Sequence, residues 1–118
     1  MKININGLDI QKGLDLYDDD EELYAIVLRS YVNNTPEVLD RLRNVTQENL
    51  EDYSVNVHGI KGTSITIAAD EIQQDAYNLE LMAKDGDLSG VLEANDLFIK
   101  KVETLILDIK NWLDANDI

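Results

Sequence analysis

One histidine stands among 118 residues, in the run Val57-His58-Gly59-Ile60-Lys61-Gly62-Thr63-Ser64. Lys61 follows it by three positions and Gly62 by four, so in a helix all three share one side. Imidazole is a nucleophile suited to neutral pH, and a lysine can pair with an oxyanion. A glycine on the same face leaves a gap where a partner can approach. A nucleophile, a cation and a gap side by side suit the acceptance and passing on of a phosphoryl group. Ser54, one turn before His58, and Ile65, on the same outer side, join the candidate surface. A metal centre fits poorly. Helical bundles hold metals with carboxylates and Glu-x-x-His pairs on inner faces, and no glutamate stands three residues before His58.

The elements that must position these residues read as helices. Leu8, Ile10, Leu14 and Leu16 suit a brief helix after a short tail over residues 1–7. The run Asp18-Asp19-Asp20-Glu21-Glu22 favours a helix start near Asp19 or Asp20, because carboxylates satisfy free N–H groups there. That helix is expected to reach about Asn33, with Leu23, Val27 and Tyr31 inward and Tyr24 and Leu28 beside them. Asn33-Asn34-Thr35-Pro36 reads as a break, followed by a helix to about Thr46 with Val38, Leu39, Leu42 and Val45 inside.

Asn49 is the candidate cap of the helix carrying His58. Its apolar seam is Leu50, Tyr53, Val57, Ile60, Ser64 and Ile67. Gly59 and Gly62 each weaken it by about 1 kcal/mol relative to alanine, so a use for at least one is expected. Asp70 and Gln73 resemble a capping box for the next helix, whose seam is Ala69, Ile72, Ala76, Leu79 and Ala83. Gly86 suits a left-handed close, and Asp87 the cap of a last helix to about Trp112. The last seam is Val91, Asn95, Phe98, Val102, Leu105, Ile109 and Trp112, in which Asn95 is expected near an end or a water. No useful β alternation appears. The expected fold is all-α: one domain over 1–118, an up-down antiparallel four-helix bundle with one or two short accessory N-terminal helices.

Measured from its seam, His58 lies roughly 130° round the helix and Gly62 roughly 170°. Both are expected to face solvent, with Lys61 on the flank at roughly 70°. A hairpin turning near Ala69 puts residues at equal distance from the turn level with one another. His58 is eleven before Ala69 and Glu80 eleven after, so Glu80 is placed to orient the imidazole.

Composition narrows the partners. There is no cysteine, which excludes disulfides and thiolate metal sites. The net charge of −14 repels nucleic-acid phosphates and anionic membrane surfaces. No run of about 18 apolar residues exists to cross a membrane. Met1-Lys2-Ile3-Asn4-Ile5 is too short and polar for a signal peptide, so a cytoplasmic location is expected.

The run His58-Gly59-Ile60-Lys61-Gly62-Thr63-Ser64 resembles the His-x-Leu-Lys-Gly-Ser-Ser signature of histidine phosphotransfer (HPt) domains. The resemblance extends through Ile67-Ala68-Ala69, Ile72, Ala76, Leu79-Glu80 and Ala83-Lys84-Asp85-Gly86-Asp87. Upstream, Gly7-Leu8-Asp9, Asp20-Glu21-Glu22-Leu23-Tyr24 and Pro36-Glu37 look like the family's opening. Val57, Gly59 and Ala68 depart from it, Ala68 standing where glycine is frequent. The resemblance implies a phosphocarrier rather than an enzyme. His58 would be the phosphoacceptor, Lys61 would serve phosphoryl electrostatics, and Glu80 would orient the histidine. The implied partners are receiver domains of response regulators or a hybrid sensor histidine kinase. Mg²⁺ is expected on the receiver, and no cofactor or metal on this chain. The phosphorelay type fits better than the chemotaxis-kinase type, because no kinase, dimerisation or ATP-binding segment follows, and a monomer is expected. The alternative is a non-catalytic helical docking adaptor, a degenerate HPt domain.

Overall fold

Five helices make up the regular structure of residues 2–118, the residues described by this computed structural model, and no strand occurs among them. They are α1 (Ile10–Leu16), α2 (Glu21–Arg41), α3 (Leu50–Thr66), α4 (Asp70–Lys84) and α5 (Leu88–Ala115). α2 packs on α3 and α5, α3 on α4, and α4 on α5, while short α1 lies against α2.

α2 begins as its carboxylates dictate: the Asp20 side chain accepts from the Leu23 N–H at 3.0 Å. The break expected at Asn33–Pro36 is not there, and α2 runs through to Arg41. Proline removes one helix hydrogen bond and costs about 3 kcal/mol in a helix interior. Against that, Leu28, Tyr31, Val32, Thr35 and Leu39 form one buried face in phase across Pro36, and their packing prevails. That longer face also corrects the inner residues. Tyr24, Ala25 and Leu28 are buried, whereas Leu23 is exposed and Val27 half-buried. Past the end of α2, Leu42 and Val45 remain in the core.

The expected tail is also corrected, although Met1 lies outside the described residues. Ile3 and Ile5 are buried in the core, and Trp112 Nε1 donates to the Lys2 carbonyl at 3.2 Å. Two expected caps differ. Asn49 precedes α3 but does not cap it. Its carboxamide accepts from the Thr46 N–H and donates to the Asn44 carbonyl, bracing the loop instead. Asp70 is the first residue of α4 and makes no capping bond, because its carboxylate pairs with Lys12 at 2.9 Å. At the other end, Gly86 adopts φ +75° and Asp87 accepts from the Gly90 N–H, as their residue types suggest.

The seams of α3 and α4 are buried throughout, and that of α5 as far as Ile109. Trp112 is half-buried, and Leu113 takes the core position because α5 continues to Ala115. Asn95 is neither terminal nor hydrated by necessity. It is 5 % exposed, accepts from Tyr53 Oη at 2.7 Å and donates to the Leu42 carbonyl at 2.8 Å. One carboxamide thus ties α3, α5 and the end of α2 together. Asn95→Leu leaves both partners buried and unpaired, so an expected loss of about 3 kcal/mol follows, read from urea unfolding. A loss under about 1 kcal/mol would show that the bridge is replaceable.

Candidate functional site

The α3–α4 hairpin is braced from the N-terminal side. The Asp9 N–H donates to the Ala68 carbonyl at 3.0 Å, Tyr17 Oη to the Thr66 carbonyl at 2.6 Å, and Tyr24 Oη to the Ile67 carbonyl at 2.8 Å. Gly13 makes this possible, because a Cβ there would lie 2.3 Å from Tyr24 Oη. Ala68 takes φ +60° at the turn, the backbone demand that glycine meets more cheaply. Between α2 and α3, Tyr31 Oη and Ser64 Oγ share a hydrogen bond of 3.1 Å, and burial pushes the Tyr31 hydroxyl up to about 12.

On this frame His58 and Glu80, each eleven residues from Ala69, meet. His58 Nδ1 lies 2.7 Å from Glu80 Oε2. The two side chains differ sharply in exposure, 61 % for His58 and 4 % for Glu80. Burial alone would raise the Glu80 carboxyl, but hydrogen bonds from Lys61, Lys84 and His58 outweigh it and hold it at about 2. Glu80 is therefore a carboxylate at neutral pH and accepts only. The hydrogen of the contact belongs to His58 Nδ1, and in the neutral ring Nε2 carries the free lone pair.

Lys61 Nζ donates to Glu80 Oε1 at 2.7 Å and lies 5.4 Å from the centre of the Tyr77 ring. It is thus drawn inward along α4, with its side chain 20 % exposed. Lys84, four residues after Glu80, reaches Oε2 at 3.1 Å while remaining 61 % exposed. Sequence reasoning did not single out Lys84 or Tyr77. Their signal is helical spacing from Glu80, at four and three residues.

Gly62 and Ile65 lie on the exposed side of α3 with His58. A Cβ at Gly62 would meet nothing within 4 Å. Ser54 is the correction. It is buried, and its Oγ donates to the Glu51 carbonyl at 2.7 Å. It lies on the same flank as Lys61, and its hydroxyl closes back onto its own helix. No group of His, Asp and Glu among the described residues is arranged to hold a metal ion. Nor is any helix among them long and apolar enough to cross a membrane.

Glu80→Gln tests the electrostatics, because a carboxamide resembles the protonated acid. The ordinary carboxyl value is 4.5 and the folded one about 2, so the stabilisation is present above pH 4.5 and is lost as pH falls toward 2. The melting temperature of the wild type should exceed that of Glu80→Gln near pH 6, and the gap should close on acidification. A gap that is constant from pH 6 to pH 2.5 would mean the carboxylate charge does not stabilise the fold. A second reading comes from ¹⁵N shifts of the imidazole. Glu80→Ala should move neutral His58 toward the Nε2-protonated form that free imidazole prefers, and an unmoved tautomer would contradict the assignment.

The family model for the Hpt domain matches residues 26–117. No curated protein and no solved structure matches the chain. The matched span takes in the exposed histidine, its buried carboxylate and all of α3 and α4. With more than half its length matched, the chain belongs to the Hpt domain family, whose members are phosphocarriers that work with receiver domains in phosphorelay signalling.

Proposed function

We propose that His58 is the phosphoacceptor of this domain and that it takes the group on Nε2. The observation that carries this is the 2.7 Å contact of an exposed imidazole with a buried carboxylate. Glu80 holds the Nδ1 proton and so leaves Nε2 as nucleophile. A receiver presents an aspartyl phosphate. As the Nε2–P bond forms, the P–O bond to the aspartate breaks and the carboxylate leaves with that electron pair. The Nδ1 proton stays on the ring, and Glu80 balances the charge that develops there. A second receiver aspartate then reverses the step. Such a transfer depends mostly on positioning.

Lys84 and Lys61 supply positive charge beside the transferred group, with Lys84 the freer of the two to turn outward. Gly62 and Ile65 belong to the docking face, and Ser54 is left out of it. Mg²⁺ belongs to the receiver, and this chain needs no cofactor. The four long helices, α2 to α5, run up and down in antiparallel order as one monomeric unit acting in the cytoplasm, alone or joined to a hybrid sensor kinase. The short connections support the antiparallel order: three residues join α3 to α4 and three join α4 to α5. The test is incubation with receiver domains charged by acetyl phosphate. The chain should gain an acid-labile, base-stable label. Absence of label with every receiver of the same cell would favour a docking adaptor without transfer.

A further inference from the structure

We infer that Tyr77 is a positioning residue for the phosphoryl transfer: its ring keeps the Lys61 ammonium on one oxygen of Glu80, so that the other oxygen is left to orient His58. This role rests on the reading of His58 as the phosphoryl acceptor.

The chain has five tyrosines, and four of them are held by their hydroxyls. Tyr17, Tyr24, Tyr31 and Tyr53 each make a hydrogen bond through Oη to a carbonyl or a side chain. Tyr77 differs. It is 44 % exposed, and among the described residues its hydroxyl has no such bond. What it offers is its ring, and the ring is occupied. Lys61 Nζ stands over it, 5.4 Å from the centre. An ammonium over an aromatic face is attracted by the quadrupole of the ring.

Two helices set this placement. Tyr77 and Glu80 are three residues apart on α4 and share one side of it. Lys61 comes from α3, which packs on α4, and its Nζ reaches both residues, with Glu80 Oε1 at 2.7 Å. Its side chain is only 20 % exposed, although a lysine ordinarily keeps its charged head in water. An ion pair with so little water beside it is stronger than one in full solvent.

The division of Glu80 matters to the imidazole. Lys61 takes Oε1, while His58 Nδ1 and Lys84 Nζ meet Oε2 at 2.7 and 3.1 Å. The last torsion of a glutamate is broad and roughly two-fold, so a carboxylate by itself would not hold one oxygen toward His58. A fixed ammonium on Oε1 sets that torsion. Leucine in place of Tyr77 keeps an apolar side chain on α4 but removes the quadrupole. Lys61 would then divide its time between Glu80 and water, and the imidazole would lose part of its fixed orientation. A transfer that depends on positioning slows when a reacting group is misplaced.

The experiment measures labelling of His58 from two phosphoryl donors. One is a receiver domain that charges the wild type. The other is phosphoramidate, which needs no docking surface. It transfers by breaking its P–N bond and releasing ammonia as the bond from phosphorus to the imidazole forms. Tyr77→Leu should slow labelling from both donors by about fivefold, the weight of one half-exposed cation–π contact. Tyr77→Phe, which keeps the ring, should retain the wild-type rate. In a Lys61→Met background, Tyr77→Leu should slow neither donor further. Wild-type rates in Tyr77→Leu would overturn the inference. So would a fall with the receiver alone, which would make Tyr77 a docking contact, or an equal fall in Tyr77→Phe, which would assign the effect to the hydroxyl. An undiminished effect of Tyr77→Leu in the Lys61→Met background would overturn it as well. If the wild type takes label from neither donor, the reading of His58 itself fails, and this role with it.

Discussion

His58→Gln should take no label from a charged receiver, and none from phosphoramidate, while melting within a degree or two of the wild type. The side chain is 61 % exposed, so little packing is lost with it. Glutamine keeps a polar group that can donate to Glu80, so the carboxylate and its two lysines stay satisfied. What it lacks is a nitrogen with a free lone pair basic enough to attack phosphorus. Residual label would have to sit on another residue and would contradict the assignment. Unfolding of the variant would show that the pair with Glu80 is a structural need, which the exposure of the ring argues against.

Gly62→Gln should slow transfer from a receiver on the order of 100-fold, the cost of holding the reacting atoms about 1 Å apart. The added side chain meets nothing within this chain, because the space beyond Gly62 is open for at least 4 Å. Helix propensity alone predicts a gain in stability of about 0.5–1 kcal/mol. A faster-melting variant would therefore point to an unseen packing role. Unchanged transfer would mean that the partner does not use this side of α3. Opposite signs for stability and activity are the signature expected of a glycine kept for a partner.

The sequence carried the site through periodicity. The seam of α3 directs Val57 and Ile60 inward and so turns His58 outward, and the matching seam of α4 sets the hairpin level at which Glu80 meets it. Gly86 and Asp87 were legible because left-handed backbone and N-capping each favour few residue types. Pro36 misled for a physical reason. Its local cost is real, but a buried face of five residues spanning it outweighs that cost, and only the assembled core reveals this. Asn95 looked like a flaw in α5 because its two partners, Tyr53 and the Leu42 carbonyl, come from distant parts of the chain. Ile3 and Ile5 alternate too briefly to announce that they enter the core. Lys61 was placed correctly on a flank, yet its ammonium turns to Glu80 and Tyr77, a choice set by the neighbouring helix.

Which nitrogen of His58 bears the phosphoryl group decides the proposed mechanism. The decisive measurement is ³¹P and ¹⁵N NMR of the protein labelled with ¹⁵N-histidine and charged by a receiver. With a single histidine in the chain, the spectrum has one imidazole to assign. The prediction is phosphorus bonded to Nε2, with Nδ1 still protonated and facing Glu80. Phosphorus on Nδ1, or on a carboxylate with the imidazole unmodified, would contradict it.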